Sequence, residues 1–267
     1  MKNKTVVITG SARGLGLEMA KCFRKNNFNV VISDLDKEEL DNSIKILNDI
    51  KSKGKTLEIV CDITNEKQII NLIDKTIKKF GKIDFWINNA GINQADNKIW
   101  ELTKEEIDKL IDVDLKGTII ASKYIVNEMI KQGNGAIYTV EGHGSNNAII
   151  PGLSIYGTAK RGLTYFIDAL AKETEVSKHD IIIGKLSPGI MITDFLVNAY
   201  RDNKIELSEK NKKIYNILGD YPDVVAKYLV NKMINNTNNN VRINWLTKRK
   251  VLSKFITYKF KKEKKIK

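Results

Sequence analysis

Six short apolar runs recur along this 267-residue chain, at 5–9, 29–33, 56–61, 83–88, 136–140 and 181–186. They are rich in β-branched residues and mostly lack polar alternation, the pattern of strands buried on both faces. Between them, apolar residues recur at helical spacing over 14–26, 37–53, 66–80, 104–131 and 155–177. Strand–helix alternation of this kind predicts βαβ units. Right-handed crossovers turn such units into a parallel sheet with helices on both faces. A further, weaker strand is expected over 241–246, and the polar stretch 193–220 reads as a loop-rich flap. Such a flap would cover the carboxyl ends of the strands, where open α/β sheets bind ligands. The chain thus divides into one α/β domain over 1–247 and a basic tail over 248–267.

Composition removes several classes of function. Seventeen glycines and three prolines exclude collagen and proline-rich disorder. No apolar run approaches the roughly 18–20 residues of a membrane span. An apolar stretch already begins at Thr5, so no leader is expected. Cys22 and Cys61 fit no metal spacing and no disulfide framework, pointing to a reducing, cytoplasmic setting. Two histidines argue against a multi-histidine metal site, so no metal is expected. Of the net charge of +13, +9 lies in the last twenty residues, which hold ten Lys/Arg and one Glu. The body is therefore only mildly basic.

The first strand runs into Thr9-Gly10-Ser11-Ala12-Arg13-Gly14-Leu15-Gly16, and a helix follows. Glycines there allow a tight turn and close approach to a phosphate, which the free N–H groups and dipole of the helix N-terminus then attract. Asp34 ends the second strand, where a carboxylate can accept from the adenosine ribose hydroxyls and repel a 2′-phosphate. That favours NAD(H), whereas Arg13 beside the loop favours NADP(H). Asp34 could instead cap the next helix. Asp62 ends the third strand within reach of an adenine amino group. Asn88-Asn89-Ala90-Gly91 ends the fourth, where small residues let the backbone pass close to a cofactor.

Tyr156 and Lys160 stand four apart, on one face of a helix. An unperturbed phenol is too weak an acid or base at neutral pH, and a nearby ammonium is expected to lower its pKa. Tyr156 could then exchange a proton with a substrate oxygen while a hydride moves.

As a set, TGSARGLG, NNAG, YGTAK and Ser187-Pro188-Gly189 stand in the order and spacing of the short-chain dehydrogenase/reductase family, which this chain resembles over residues 4–235. Within that family, YTVEGHGSNN, YGTAKRGL and INWLTKRK resemble the chlorophyll b reductase-like subgroup and its bacterial relatives. The resemblance implies a seven-stranded Rossmann sheet, a nicotinamide cofactor (NAD, with NADP the alternative) and an oligomer formed through the helices at 104–131 and 155–177. It implies cofactor contacts from Gly10, Ser11, Arg13, Gly14, Leu15 and Gly16, then from Asp34, Leu35, Asp62, Ile63, Asn89, Ala90 and Gly91. Further on, Pro188, Gly189 and Thr193 would join them, with Thr193 at the carboxamide. Tyr156 would be the acid/base, and Lys160 would bind the ribose and tune it.

Two positions depart from the family pattern. Its usual serine, 13–14 residues before the tyrosine, falls on Gly142 and His143 here. Ser145 could supply the hydroxyl that binds the substrate oxygen, or His143 an imidazole donor, or Ser145 could be a loop serine with no catalytic role. The family's catalytic asparagine falls on Asp114, which cannot donate when ionised. A water relay to Lys160 could survive that change with an altered pH profile; a buried aspartate satisfied by backbone donors is the alternative.

These features predict an oxidoreductase moving hydride between nicotinamide and a carbonyl or secondary alcohol. Ile149, Ile150, Leu153, Met191, Phe195 and Leu196 suggest an apolar substrate. A non-catalytic dinucleotide sensor, signalling through the tail, is the rival. Val251, Leu252, Phe255 and Ile256 recur at helical spacing among basic residues. Such a helix can lie on an anionic membrane, or pack Trp245 and Phe255 on the domain with its lysines in solvent. No nucleic-acid motif accompanies the charge.

Overall fold

The computed structural model describes residues 3–94, 97–193, 209–261 and 265. Its strands are β1 (Thr5–Thr9), β2 (Asn29–Asp34), β3 (Thr56–Val60), β4 (Phe85–Asn88), β5 (Asn134–Val140), β6 (Asp180–Ser187) and β7 (Val241–Asn244). They form one seven-stranded, all-parallel sheet in the order β3-β2-β1-β4-β5-β6-β7. This is the doubly wound Rossmann arrangement. The strand order reverses between β1 and β4, so the crevice at their carboxyl ends is the expected ligand site.

The helices are α1 (Gly14–Lys25), α2 (Lys37–Asn48), α3 (Glu66–Phe80), α4 (Lys104–Ile111), α5 (Thr118–Gln132) and α6 (Ser154–Val176). After β6 come α7 (Glu209–Leu218), α8 (Pro222–Ile234) and α9 (Lys248–Lys261). Alternate strand residues feed two cores. Val6, Ile8, Val30 and Ile32 pack with Phe23 of α1 and Leu229 of α8. Val7 and Val31 turn to the opposite layer, with Leu72, Ile125 and Ile167 of α3, α5 and α6. Both faces are covered, which is why these strands carry no polar alternation.

Three expectations need correction. The helix expected over 37–53 stops at Asn48. The single helix expected over 104–131 is broken by a wide π-type turn at Asp112–Gly117; such turns often mark functional positions. Part of the polar stretch read as loop, Glu209–Leu218, is helical. Phe195 and Leu196 lie outside the described residues.

Candidate active site

The glycine turn after β1 is built to hold something close. Gly10 has φ +59°, and a Cβ there would sit 2.6 Å from Ala90 Cα. The turn and the NNAG segment therefore touch backbone to backbone. Asn89 Nδ2 donates to Thr9 O and Gly10 O, while the Asn89 and Ala90 N–H groups donate to Thr9 Oγ1. Ser11 is buried and internal, its hydroxyl donating to Ile8 O and accepting from Ser33 N–H. At the start of α1, the flanking Arg13 makes no side-chain cap, so the first-turn N–H groups of Gly14, Leu15 and Gly16 stay available to an anion. Arg13 itself extends outward to Glu39, at 3.1 Å.

Asp34 is not a helix cap. Asp36 caps α2, accepting from Glu39 N–H. The Asp34 carboxylate accepts from Ala12 N–H at 3.1 Å and Leu35 N–H at 2.8 Å. That fixes it at the edge of the glycine turn, and Leu35 beside it is exposed. Asp62 closes the end of β3 by accepting from Thr64 N–H and Oγ1, with Ile63 buried next to it. This turn-and-carboxylate cradle fits an adenine dinucleotide.

The reacting centre lies where the wide turn, β5 and α6 converge. Asp114, on the wide turn, is fully buried. Its Oδ1 accepts from Ile92 N–H at 2.7 Å, just past Gly91, and its Oδ2 lies 2.9 Å from Lys160 Nζ. The same ammonium stands 5.4 Å from the centroid of the Tyr156 ring. Tyr156 Oη rests on the loop after β5, where a Cβ at Gly142 would come within 2.2 Å of it.

The electrostatics differ from the expectation. Burial pushes the Tyr156 phenol up, Lys160 pulls it down and Asp114 pushes it up again, so its pKa lies above the ordinary value of 10.0. Burial outweighs Lys160, and the Asp114 carboxylate, where the family pattern has a neutral amide, adds to burial. Burial also presses the Lys160 ammonium down, but Asp114 and Tyr156 together more than offset this, and its pKa stands above 10.5.

Ser145 is turned to the backbone. Its hydroxyl donates to Lys160 O at 3.3 Å and accepts from Gly142 N–H at 3.4 Å. It thereby ties the loop to α6. His143 is different: its Nε2 is buried with no hydrogen-bond partner among the described residues, and burial lowers its pKa, keeping the imidazole neutral. Beyond Pro188 and Gly189, Ile192 N–H donates to Asp220 O, and Thr193 follows.

Two positioning residues carry no local signal. Buried Gln94 accepts from Ile155 N–H at 3.1 Å and Tyr156 N–H at 2.9 Å, and donates to Gly152 O. It caps the first turn of the helix that carries Tyr156, where Leu153 supplies no side-chain cap. Buried Glu141, next to Gly142, accepts from Thr164 Oγ1 and from Arg242 on β7. The same Thr164 hydroxyl lies 3.1 Å from Lys160 O, sharing its proton between the two acceptors, so Glu141 braces the loop against α6.

Comparisons with known proteins bear on the family and the fold. The model of the short chain dehydrogenase family matches residues 4–204. A protein described as a probable chlorophyll(ide) b reductase of Arabidopsis thaliana is 30% identical over 270 residues, covering 95% of this chain and 53% of that protein. A chlorophyll(ide) b reductase of Oryza sativa is 32% identical over 228 residues, covering 84% and 65%. The chain thus spans about half to two thirds of the length of these relatives. A crystal structure of an actinorhodin polyketide ketoreductase with NADPH superposes with a TM-score of 0.81 at 21% identity, covering 92% of this chain and 97% of that one. With the family model spanning most of its length and the sheet wound in the same way, this chain belongs to the short-chain dehydrogenase family.

Proposed function

We propose that this protein is a nicotinamide-dependent carbonyl reductase in which Tyr156 is the proton donor. The observation that carries this reading is the buried Asp114–Lys160–Tyr156 cluster, with its phenol held above the ordinary pKa. Such a phenol is protonated in neutral water, which suits donation to a carbonyl oxygen better than abstraction from an alcohol. A nicotinamide dinucleotide held by the glycine turn and Asp34 would supply the hydride chemistry. Tyr156 gives its proton to the oxygen, and the resulting phenolate is stabilised by the Lys160 ammonium until it is reprotonated. Gln94 holds the donor's helix turn, and Gly142 leaves space against the donor oxygen. His143, neutral and with Nε2 unpartnered, is the better-supported candidate to hydrogen-bond the substrate oxygen; Ser145 has its hydroxyl committed to backbone. Reductase names among the relatives favour the same direction.

Asp34 favours NAD(H), since its carboxylate stands at the edge of the cradle where a 2′-phosphate would go, and Arg13 is paired with Glu39. The NADPH of the polyketide ketoreductase structure is the counterweight. The exposed side chains of Ile149 and Ile150, in the loop between β5 and α6, support an apolar substrate. Exposed Tyr165 on α6 supports self-association through that helix.

The test is a panel of apolar ketones and aldehydes, followed by loss of reduced-nicotinamide absorbance. Tyr156→Phe should lower kcat by roughly a hundredfold to ten-thousandfold while dinucleotide binding persists. Dinucleotide binding without turnover on any carbonyl would refute the reading in favour of a sensor.

A further inference from the structure

Helix α9 is packed with its polarity reversed. Its body-facing side carries Lys250, Val251, Lys254 and Tyr258, all half-buried. Lys254 Nζ lies 2.6 Å from Asp220 Oδ2, and Lys250 lies over the Trp245 ring. Trp245 Nε1 donates to the same Asp220 at 2.6 Å, and Lys265 Nζ, just beyond the helix, donates to Gly219 O. Asp220 therefore draws the lysines inward. The outward side carries Leu252, Phe255 and Ile256, which are 63%, 45% and 53% exposed. Their i, i+3, i+4 spacing makes one continuous apolar stripe. A helix docked on a globular body normally shows the opposite arrangement.

Exposed Lys248 and Arg249 flank this stripe, within a segment holding ten Lys/Arg and one Glu. That charge selects the occupant. A second copy meeting the stripe through a two-fold axis would bring the same cations against these. Anionic headgroups neutralise them, and the acyl boundary takes the leucine, phenylalanine and isoleucine. No helix among the described residues is long and apolar enough to cross a membrane, so α9 would lie in the surface plane. We propose that α9 docks this protein on an anionic lipid surface, with Leu252, Phe255 and Ile256 inserted and Lys248 and Arg249 on the headgroups. Asp220, which orients the helix, also pairs with the backbone of Ile190 and Ile192 leading from β6 toward Thr193, which joins the docking helix to the edge of the candidate site.

The test is co-sedimentation of the full chain with phosphatidylcholine vesicles and with vesicles containing phosphatidylglycerol, read alongside light scattering without lipid. Neither readout needs turnover, so the outcome is independent of the catalytic reading. The chain should bind the anionic vesicles only. Leu252→Ser/Phe255→Ser/Ile256→Ser should weaken binding at least tenfold. Lys248→Glu/Arg249→Glu should weaken it about 25-fold or more, at about fivefold per basic residue removed. All these side chains are exposed, so both variants should melt with the parent. Equal retention of the apolar variant, equal binding to neutral vesicles, or no binding to either would overturn the proposal. So would a smaller species for the apolar variant in light scattering, which would show a second copy covering the stripe.

Discussion

Replacing Asp114 by Asn tests the electrostatics of the site with almost no change of shape. Asn can still accept from Ile92 N–H through Oδ1, so the backbone contact survives. What changes is the charge beside Lys160. The ammonium stands 5.4 Å from the Tyr156 ring, a separation worth about 3 kcal/mol of attraction for a phenolate at an effective dielectric of about 20. The Asp114 carboxylate, 2.9 Å from that ammonium, opposes this more weakly, by about 2 kcal/mol for a charge about 8 Å from the ring. Removing it makes the phenol more acidic and raises the small fraction of the base form present at neutral pH, although burial still holds the pKa up. For Asp114→Asn, kcat/KM for alcohol oxidation at neutral pH should rise about tenfold or more, and its alkaline limb should move toward lower pH. The upper limb of the reductive profile should move the same way.

The substitution also leaves Lys160 buried without its counter-ion, at a cost of roughly 3–5 kcal/mol. In the native protein, Lys160 holds its proton more tightly folded than unfolded. Its contribution is therefore complete below 10.5 and lost as pH rises through the higher folded value. The variant should lack this loss. Paired pH–rate profiles and alkaline melting curves check both effects. An unmoved limb would refute the reasoning. A limb moved to higher pH would refute it differently, by showing that Lys160 loses its own proton once unpaired.

Gly142→Ala should place a methyl where Tyr156 Oη now lies, lowering kcat about a hundredfold at a stability cost of about 1–3 kcal/mol, with dinucleotide affinity unchanged in a fluorescence titration. Gln94→Ala should cost about 1–2 kcal/mol, as for a lost helix cap, and lower kcat more than it raises the cofactor KM; Gln94→Glu, which keeps the acceptor but loses the donor to Gly152 O, should restore only part of the rate. Arg242→Leu should cost about 2–3 kcal/mol, moderated by solvent because Arg242 is 35% exposed, whereas Glu141→Gln should melt close to the parent. Burial raises the Glu141 carboxyl despite Arg242 and Thr164, so its neutral form is favoured on folding, and the Arg242→Leu deficit should shrink as pH falls toward 4.5.

What the chain declares locally it declares well. The unalternated runs at 5–9 and 29–33 could only be strands covered on both faces, and the glycine turn, Asp34, Tyr156 and Lys160 all follow from spacing within one element or one crossover. The two positioning residues that the sequence did not reveal have a different origin: each depends on a partner far along the chain. Gln94 caps a helix 61 residues away, and Glu141 meets Arg242 at a separation of 101, so neither residue type marks its own role. Helices α7 and α8 lie in or beside a polar stretch, and only Pro222 in the first turn of α8 offers a start signal.

The phenol and the last helix show the same limit in energetic terms. Reading Tyr156 with Lys160 alone predicts a lowered pKa, because an i, i+4 pair is visible in the sequence. The opposing carboxylate arrives from the wide turn at Asp112–Gly117, more than 40 residues earlier in the chain, and desolvation comes from the assembled fold. Likewise, Leu252, Phe255 and Ile256 announce an amphipathic helix, and burial of apolar area would turn that face inward. It turns outward because Asp220, already engaged by Trp245, offers Lys254 a half-buried counter-ion on the other side. Periodicity therefore identifies a helix and its stripe, while the placement of one distant carboxylate decides which way each charge and each stripe faces.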